Sequence, residues 1–283
     1  MDPRPITVQC ADRYPLNMQV FVPEAARGAV CIAPALGVPG RFYLPFADFL
    51  AAQGFATAVF DYRGSGASAV GPQRGRDMRM EHWGRFDIDA VLGWMRRELE
   101  PRRLFLVGHS AGAQLPGLAA ESETLDAMVC IAGSAPHLRH YPLRAWPLLG
   151  LTLYLLGPLL SLGRDQFPAR RTGLGTTSVA AGVVAQWTRW GRSHDYLFDR
   201  AHGLDTSRYA RLSLPILSYC FRDDGYATPD ATDALLQRYS TARVERRLVD
   251  KPAQGSIGHF GYFRDRFRDT LWRETSDWLE KWL

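Results

Sequence analysis

One pentapeptide near the middle of the chain carries the strongest chemical signal: Gly108-His109-Ser110-Ala111-Gly112. Its meaning depends on its flanks. Leu104-Phe105-Leu106-Val107 reads as a strand before it, and Ala111-Gly112-Ala113-Gln114-Leu115 reads as the opening of a helix after it. A strand that turns at once into a helix forces the corner residue into strained dihedrals and pushes its side chain outward. Side chains at positions 108 and 112 would collide there, so glycine is required. The first helical turn also directs backbone N–H groups at the reacting oxygen. With 26 glycines in the chain, a bare G-x-S-x-G has little weight, but this strand and helix mark Ser110 as a nucleophile.

A serine hydroxyl needs a general base and an acid that orients that base. The order serine, acid, histidine accompanies a nucleophile on a strand–turn–helix corner. Of the seven histidines, His259 follows the last predicted strand, within Gly258-His259-Phe260-Gly261 and before a closing helix. A glycine-flanked histidine there swings over the carboxyl edge of a sheet, so His259 is the expected base. His109 points away from the nucleophile and reads as packing; His82, before a helix, reads as surface. His137, His140, His194 and His202 read as solvated or packed. The acid belongs at the end of the preceding strand, where Pro215 to Phe221 runs into Arg222-Asp223-Asp224-Gly225. Asp224, deeper in the loop, is the expected acid, with Asp223 as the alternative.

A tetrahedral oxyanion needs two donors. Ala111 N–H supplies one. The other comes from Pro34-Ala35-Leu36-Gly37, after the apolar run Ala29 to Ala33; Pro34 has no N–H, and Leu36 is favoured.

The elements that hold these residues alternate along the chain. Ile6 to Cys10 and Leu16 to Val22 read as a hairpin, and Ala29 to Ala33 and Phe55 to Phe60 as buried strands around a helix carrying Phe42 to Leu50. Next come a helix from Trp83 to Leu99, the strand before Ser110, a helix from Ala111 to Ala120 and a strand from Ala127 to Ile131. The alternation resumes with a strand at Ile216 to Phe221, a helix at Pro229 to Tyr239, a strand at Arg243 to Val249 and a helix at Thr270 to Leu283. This pattern predicts an α/β fold, a mostly parallel sheet with helices on both faces. Residues 1–133 and 210–283 form the expected core, and 134–209 an inserted helical cap.

Composition narrows the function class. The 283 residues are 46% hydrophobic and 22% charged, which suits a large folded core and excludes disorder. The net charge of +5 is interspersed, with no basic block, so no nucleic-acid partner is expected. Cys10, Cys31, Cys130 and Cys220 are far apart and read as reduced core residues, with no metal-ligand spacing. Met1-Asp2-Pro3-Arg4-Pro5 lacks the apolar stretch of a signal peptide, so a cytoplasmic setting is expected.

Taken together, Ala33-Pro34-Ala35-Leu36-Gly37, Asp61-Tyr62-Arg63-Gly64-Ser65-Gly66, Gly108 to Gly112, Asp223-Asp224 and Gly258-His259-Phe260-Gly261 resemble the serine hydrolases of the α/β-hydrolase superfamily. Within it the chain is similar to predicted hydrolases near the S33 serine-aminopeptidase and monoacylglycerol-lipase-like group. Many relatives carry His-Gly where this chain has Pro34-Ala35. The resemblance implies a Ser110–Asp224–His259 triad, an acyl-enzyme route and no cofactor.

Inside the insertion, Ala145 to Gly163 carries no charge and is long enough to be a membrane-span candidate. Pro147 and Pro158 are expected to interrupt its helix. A single crossing between Ser110 and Asp224 would also part the triad. The segment is therefore read as a helical cap over an apolar pocket, able to rest on a lipid surface but not to span it. Val179, Val183, Trp187 and Trp190 predict a second cap helix. An aminopeptidase would bind a free α-amine through carboxylates, which are sparse in the cap. The expected activity is hydrolysis of a small-molecule carboxylic ester with an apolar acyl or aromatic portion. Thioesterase or acyltransferase chemistry is the alternative; a peptidase or a non-catalytic binder ranks lower.

Overall fold

The computed structural model describes residues 1–173, 175–253 and 255–283. Its centre is an eight-stranded sheet: β1 (Arg4–Gln9), β2 (Pro15–Phe21), β3 (Gly28–Ala33), β4 (Phe55–Phe60), β5 (Leu104–His109), β6 (Ala127–Ile131), β9 (Pro215–Phe221) and β10 (Arg243–Val249). β7 (Gln166–Phe167) and β8 (Val179–Ala180) form a separate two-stranded ribbon in the insertion. The strand order is β1-β2-β4-β3-β5-β6-β9-β10. β1 and β2 pair antiparallel, as do β2 and β4; all other pairs within this sheet are parallel. β3, β4, β5 and β6 are buried at every residue, as continuous apolar runs require of strands covered on both faces. Two apolar cores lie on the two faces of the sheet.

Several boundaries differ from the sequence reading. The helix after Ser110 spans only Ala111–Gln114, then passes through a 3-10 turn at Pro116–Leu118. Pro116 lacks the N–H that would continue the helix. The helix expected from Trp83 starts at Met80 and contains a wide π turn at Trp83–Ile88 before Asp89–Glu98. Val179, assigned to a cap helix, lies in β8, and the helix begins beyond it, at Ala181–Arg192. His82, read as surface, is half-buried, and burial among cationic neighbours pulls its pKa down to about 4.

A larger departure concerns the apolar segment of the insertion. Its prolines do not interrupt it; Leu143–Ser161 is one helix. Pro147 falls in a first turn, where an N–H is dispensable. Pro158 follows a π stretch at Leu151–Leu156, whose widened turn accommodates the proline ring without a break.

The Asp61-Tyr62-Arg63-Gly64 loop is structural. Arg63 is fully buried and donates to Asp87 at 2.7 Å, with Asp12 on its other side. That ion pair fixes the loop against which the insertion docks, through Ala180 N–H to the Gly64 carbonyl at 3.0 Å.

Candidate active site

β5 delivers Ser110 to the carboxyl edge of the sheet. The chain cannot continue as a strand there, and Ser110 adopts φ 51° and ψ −109°. This is strained backbone for a non-glycine residue. Ser110 N–H donates to the Ile131 carbonyl at 2.9 Å, anchoring the turn to β6. A Cβ on Gly108 would come within 2.4 Å of the Gly112 carbonyl oxygen, and one on Gly112 within 2.0 Å of the Ala33 carbonyl oxygen. Both glycines are therefore fixed by close backbone approach.

The loop after β10 brings His259 over that edge. Its ring lies 2.9 Å from Ser110 Oγ through Nε2 and 2.7 Å from Asp224 Oδ2 through Nδ1. A carboxylate only accepts, so Nδ1 carries the proton and Nε2 is free to accept from the serine hydroxyl. Asp224 Oδ1 accepts from the backbone N–H groups of Tyr226 (2.7 Å) and Ala227 (3.1 Å), which aims the carboxylate. Its side chain is fully buried.

Asp223 does not reach the imidazole. It accepts from Ser256 Oγ (2.6 Å), Ile257 N–H (2.9 Å) and Gly258 N–H (2.9 Å), holding the residues just before His259. Partial burial disfavours its charge, but those donors outweigh burial and hold its carboxyl below the usual range. Gly258 takes φ 53°, which lets the loop turn the imidazole inward.

At the end of β3, Val38 N–H donates to the Ala35 carbonyl at 3.2 Å, closing a turn with Gly37 at φ 70°. Ala35 N–H is occupied, donating to Tyr43 Oη at 2.8 Å. Among the described residues, the N–H groups of Leu36 and Ala111 have no acceptor. Both residues line the cavity that holds Ser110. The Gly37 carbonyl accepts from Thr176 N–H (2.7 Å) and Thr177 N–H (3.1 Å), so the insertion braces this turn.

His109 is not mere packing. It is fully buried, with Nδ1 2.8 Å from Tyr43 Oη and Nε2 2.8 Å from the His259 carbonyl. The sequence reading missed this link, and missed that Asp223 clamps the His259 loop. His137, His140, His194 and His202 do not line the cavity.

The cavity has a volume of about 280 Å³. Leu36, Ala111, Tyr226 and Phe260 wall it from the sheet side, and Ala145, Leu148, Leu149, Thr152 and Trp187 from the insertion. Among the described residues, no Asp, Glu, Lys or Arg lines it. Among the described residues, no group of three or more His, Cys, Asp and Glu side chains is placed to hold a metal ion. The arrangement can take a proton from Ser110, hold it on the His259 imidazole and offer two free amides to a developing oxyanion.

Comparison with solved structures returns the same fold. Est1E from Butyrivibrio proteoclasticus, solved with ferulic acid bound, superposes with a TM-score of 0.65 at 16% identity, over 98% of both chains. The Pyrococcus furiosus esterase Pf2001 gives 0.62 at 13%, covering 99% of this chain and 93% of its own. The esterase domain of a Rhodothermus marinus protein gives 0.62 at 16%, covering 100% and 99%. No curated protein matches by sequence. The family described as serine aminopeptidase, S33, matches residues 24–169, just over half of the chain. With its mostly parallel sheet and strand–turn–helix corner at Ser110, the chain belongs to that family of α/β-hydrolase-fold hydrolases.

Proposed function

We propose that the protein is a serine esterase that hydrolyses carboxylic esters with an apolar acyl or aromatic portion. The observation that carries this reading is the hydrogen-bonded series Ser110–His259–Asp224 opening into a cavity without a charged wall. Ser110 Oγ attacks the ester carbonyl while His259 Nε2 takes its proton. The carbonyl oxygen becomes an oxyanion held by Leu36 and Ala111 N–H. Collapse expels the alcohol, protonated by His259, and leaves an acyl-Ser110 ester. Water, deprotonated by the same imidazole, attacks that ester and releases the acid and free Ser110. Asp224 keeps the imidazole in the tautomer that accepts from serine and stabilises its charged form.

The family's label names an aminopeptidase, yet the cavity supports an ester. A peptide's free α-ammonium, taken out of water, needs a carboxylate partner, and among the described residues none lines this cavity. Residues 134–209 act as the cap, contributing one wall of the acyl pocket and bracing the oxyanion turn through the Gly37 carbonyl. Ferulic acid, an aromatic acid, occupies Est1E, which fits an aromatic or apolar acyl group in a pocket of the same fold.

The test is hydrolysis of p-nitrophenyl esters from acetyl to palmitoyl by wild type and Ser110→Ala. Wild-type turnover that falls by about 10⁵-fold or more in the variant supports the nucleophile. Equal rates in the two proteins, or no turnover and no labelling of the wild type by a fluorophosphonate, would overturn the reading.

A further inference from the structure

The helix Leu143–Ser161 turns an unusual face to solvent. Leu148, Leu151, Leu155 and Leu159 recur at spacings of three and four, so they form one stripe along one side, and Leu162 follows just past the helix end. They are 71%, 43%, 52%, 58% and 77% exposed. Leu153, Gly157 and Ser161 form the opposite, buried stripe and seat the helix on the protein. Trp146 and Tyr154 add exposed rings with polar edges. A contiguous apolar stripe of this length marks a contact surface.

Charge around the stripe indicates its partner. No charged residue lies between Ala145 and Gly163, but Arg144 and Arg164 bracket the helix, and Arg170 and Arg171 follow it. All four are exposed, and none is in an ion pair among the described residues. At the C-terminal end of the helix, Arg76, Arg79, Arg189 and Arg192 outnumber Asp77 in the lining of a second cavity beside Ser161 and Leu162, with Arg76 paired to Asp165 at 3.2 Å. The Ser161 hydroxyl is buried there with no hydrogen-bond partner among the described residues. An apolar stripe with an arginine at one end and an arginine-rich group at the other matches a layer with an apolar interior and anionic headgroups.

We propose that this face docks on an anionic lipid bilayer, with the helix lying in the interface plane and the cavity mouth against the lipid. Spanning is excluded by connectivity: Ser110 precedes the helix, His259 follows it, and the two meet at 2.9 Å. Ala145, Leu148, Leu149 and Thr152 of the same helix wall the Ser110 cavity, so docking sets that cavity at the lipid boundary. Given the esterase reading, on which this part rests, the substrate reaches Ser110 from the lipid phase.

Flotation of the full chain with phosphatidylcholine vesicles, with and without phosphatidylglycerol, tests the docking. Turnover of soluble p-nitrophenyl butyrate is followed in the same samples. Wild type is expected to float with the anionic vesicles, less so at high salt. The double variant Leu155→Glu/Leu159→Glu is expected to float about tenfold less while keeping its butyrate turnover and its circular dichroism spectrum. A wild type that stays with the soluble fraction, or flotation unchanged by the two glutamates, overturns the docking surface. So does a wild-type dimer on size exclusion that the glutamates dissolve, because a second copy then covers the stripe. Butyrate turnover without flotation fails the docking alone; flotation without turnover fails the esterase reading alone.

Discussion

Tyr43 and His109, 66 residues apart, share a buried hydrogen bond of 2.8 Å that links the two halves of the candidate active site. Tyr43 Oη accepts from Ala35 N–H in the turn after β3 and donates to His109 Nδ1. His109 Nε2–H in turn donates to the His259 carbonyl. The direction is fixed at each end, because an amide can only donate and a carbonyl can only accept. One proton arrangement satisfies all three bonds, and it holds the turn after β3, the corner at Ser110 and the His259 loop in register.

Removing the phenol oxygen breaks this series in its middle. Tyr43→Phe leaves a buried N–H and a buried ring nitrogen unpaired, a loss of about 2 kcal/mol of stability. Loosening both the oxyanion turn and the His259 loop lowers kcat by about tenfold or more, with KM little changed because no cavity wall is lost. Urea denaturation and steady-state kinetics on one soluble ester measure both effects. An unchanged kcat would assign Tyr43 to packing alone.

His109 also makes stability depend on pH. Burial, with the nearby His259 acting in the same direction, holds His109 well below the ordinary imidazole value of 6.5, against the opposing pull of its bond to the His259 carbonyl. The folded protein thus keeps His109 neutral, while the unfolded chain takes up a proton there below pH 6.5. Its contribution is present above pH 6.5 and is lost as pH falls below it. The loss from this one group approaches about 1.4 kcal/mol per pH unit. His109→Gln keeps an acceptor for Tyr43 and a donor for the His259 carbonyl but does not titrate. Its stability is expected to fall by up to one proton's share less between pH 7.5 and 5.5 than that of wild type, read from denaturation midpoints and slopes. Parallel wild-type and variant curves would contradict a buried neutral His109.

The adjacent aspartates separate cleanly by kinetics. Asp224→Asn can present its amide to Nδ1, which places the ring proton on the wrong nitrogen and lowers kcat by about 10⁴ with the fold intact. Asp223→Ala instead frees the residues that position His259, for a loss nearer 10-fold to 100-fold. Equal losses in the two variants would mean that Asp223 and Asp224 serve the imidazole interchangeably.

Local patterning made the sheet strands, Ser110 and the His259 loop legible in the sequence. β3 to β6 are apolar runs interrupted only by Thr57 and the terminal His109, and the corner at Ser110 has the glycines that its close backbone contacts demand. What stayed hidden depends on long-range contact. Tyr43 is unremarkable in sequence and Asp223 stands out there only as an alternative acid, because the partners that define their roles lie 66 and 35 residues away. The same holds for His109, which reaches His259 across 150 residues. The Leu143–Ser161 helix was misread for a local reason. Two prolines usually break a helix, but one falls in a first turn and the other after a π turn.

Trp187 is the bulkiest side chain that the insertion places in the Ser110 cavity, and it offers the sharpest control over substrate choice. Its helix, Ala181–Arg192, is seated by buried Val183, Val184 and Trp190, so truncating Trp187 leaves the helix in place and enlarges the cavity. With about 280 Å³ in the wild type, added depth favours longer acyl chains. Each methylene newly accommodated in an apolar pocket contributes on the order of 1 kcal/mol to binding of the transition state. Trp187→Ala is therefore expected to raise kcat/KM for decanoyl over butyryl p-nitrophenyl ester by about tenfold. The butyryl ester loses rate in absolute terms because its acyl chain no longer fills the space. The full acyl series, run on both proteins, measures the shift. An optimum that stays at the same chain length would place the acyl group along another wall, and Leu148 and Leu149 would then be the residues to truncate next.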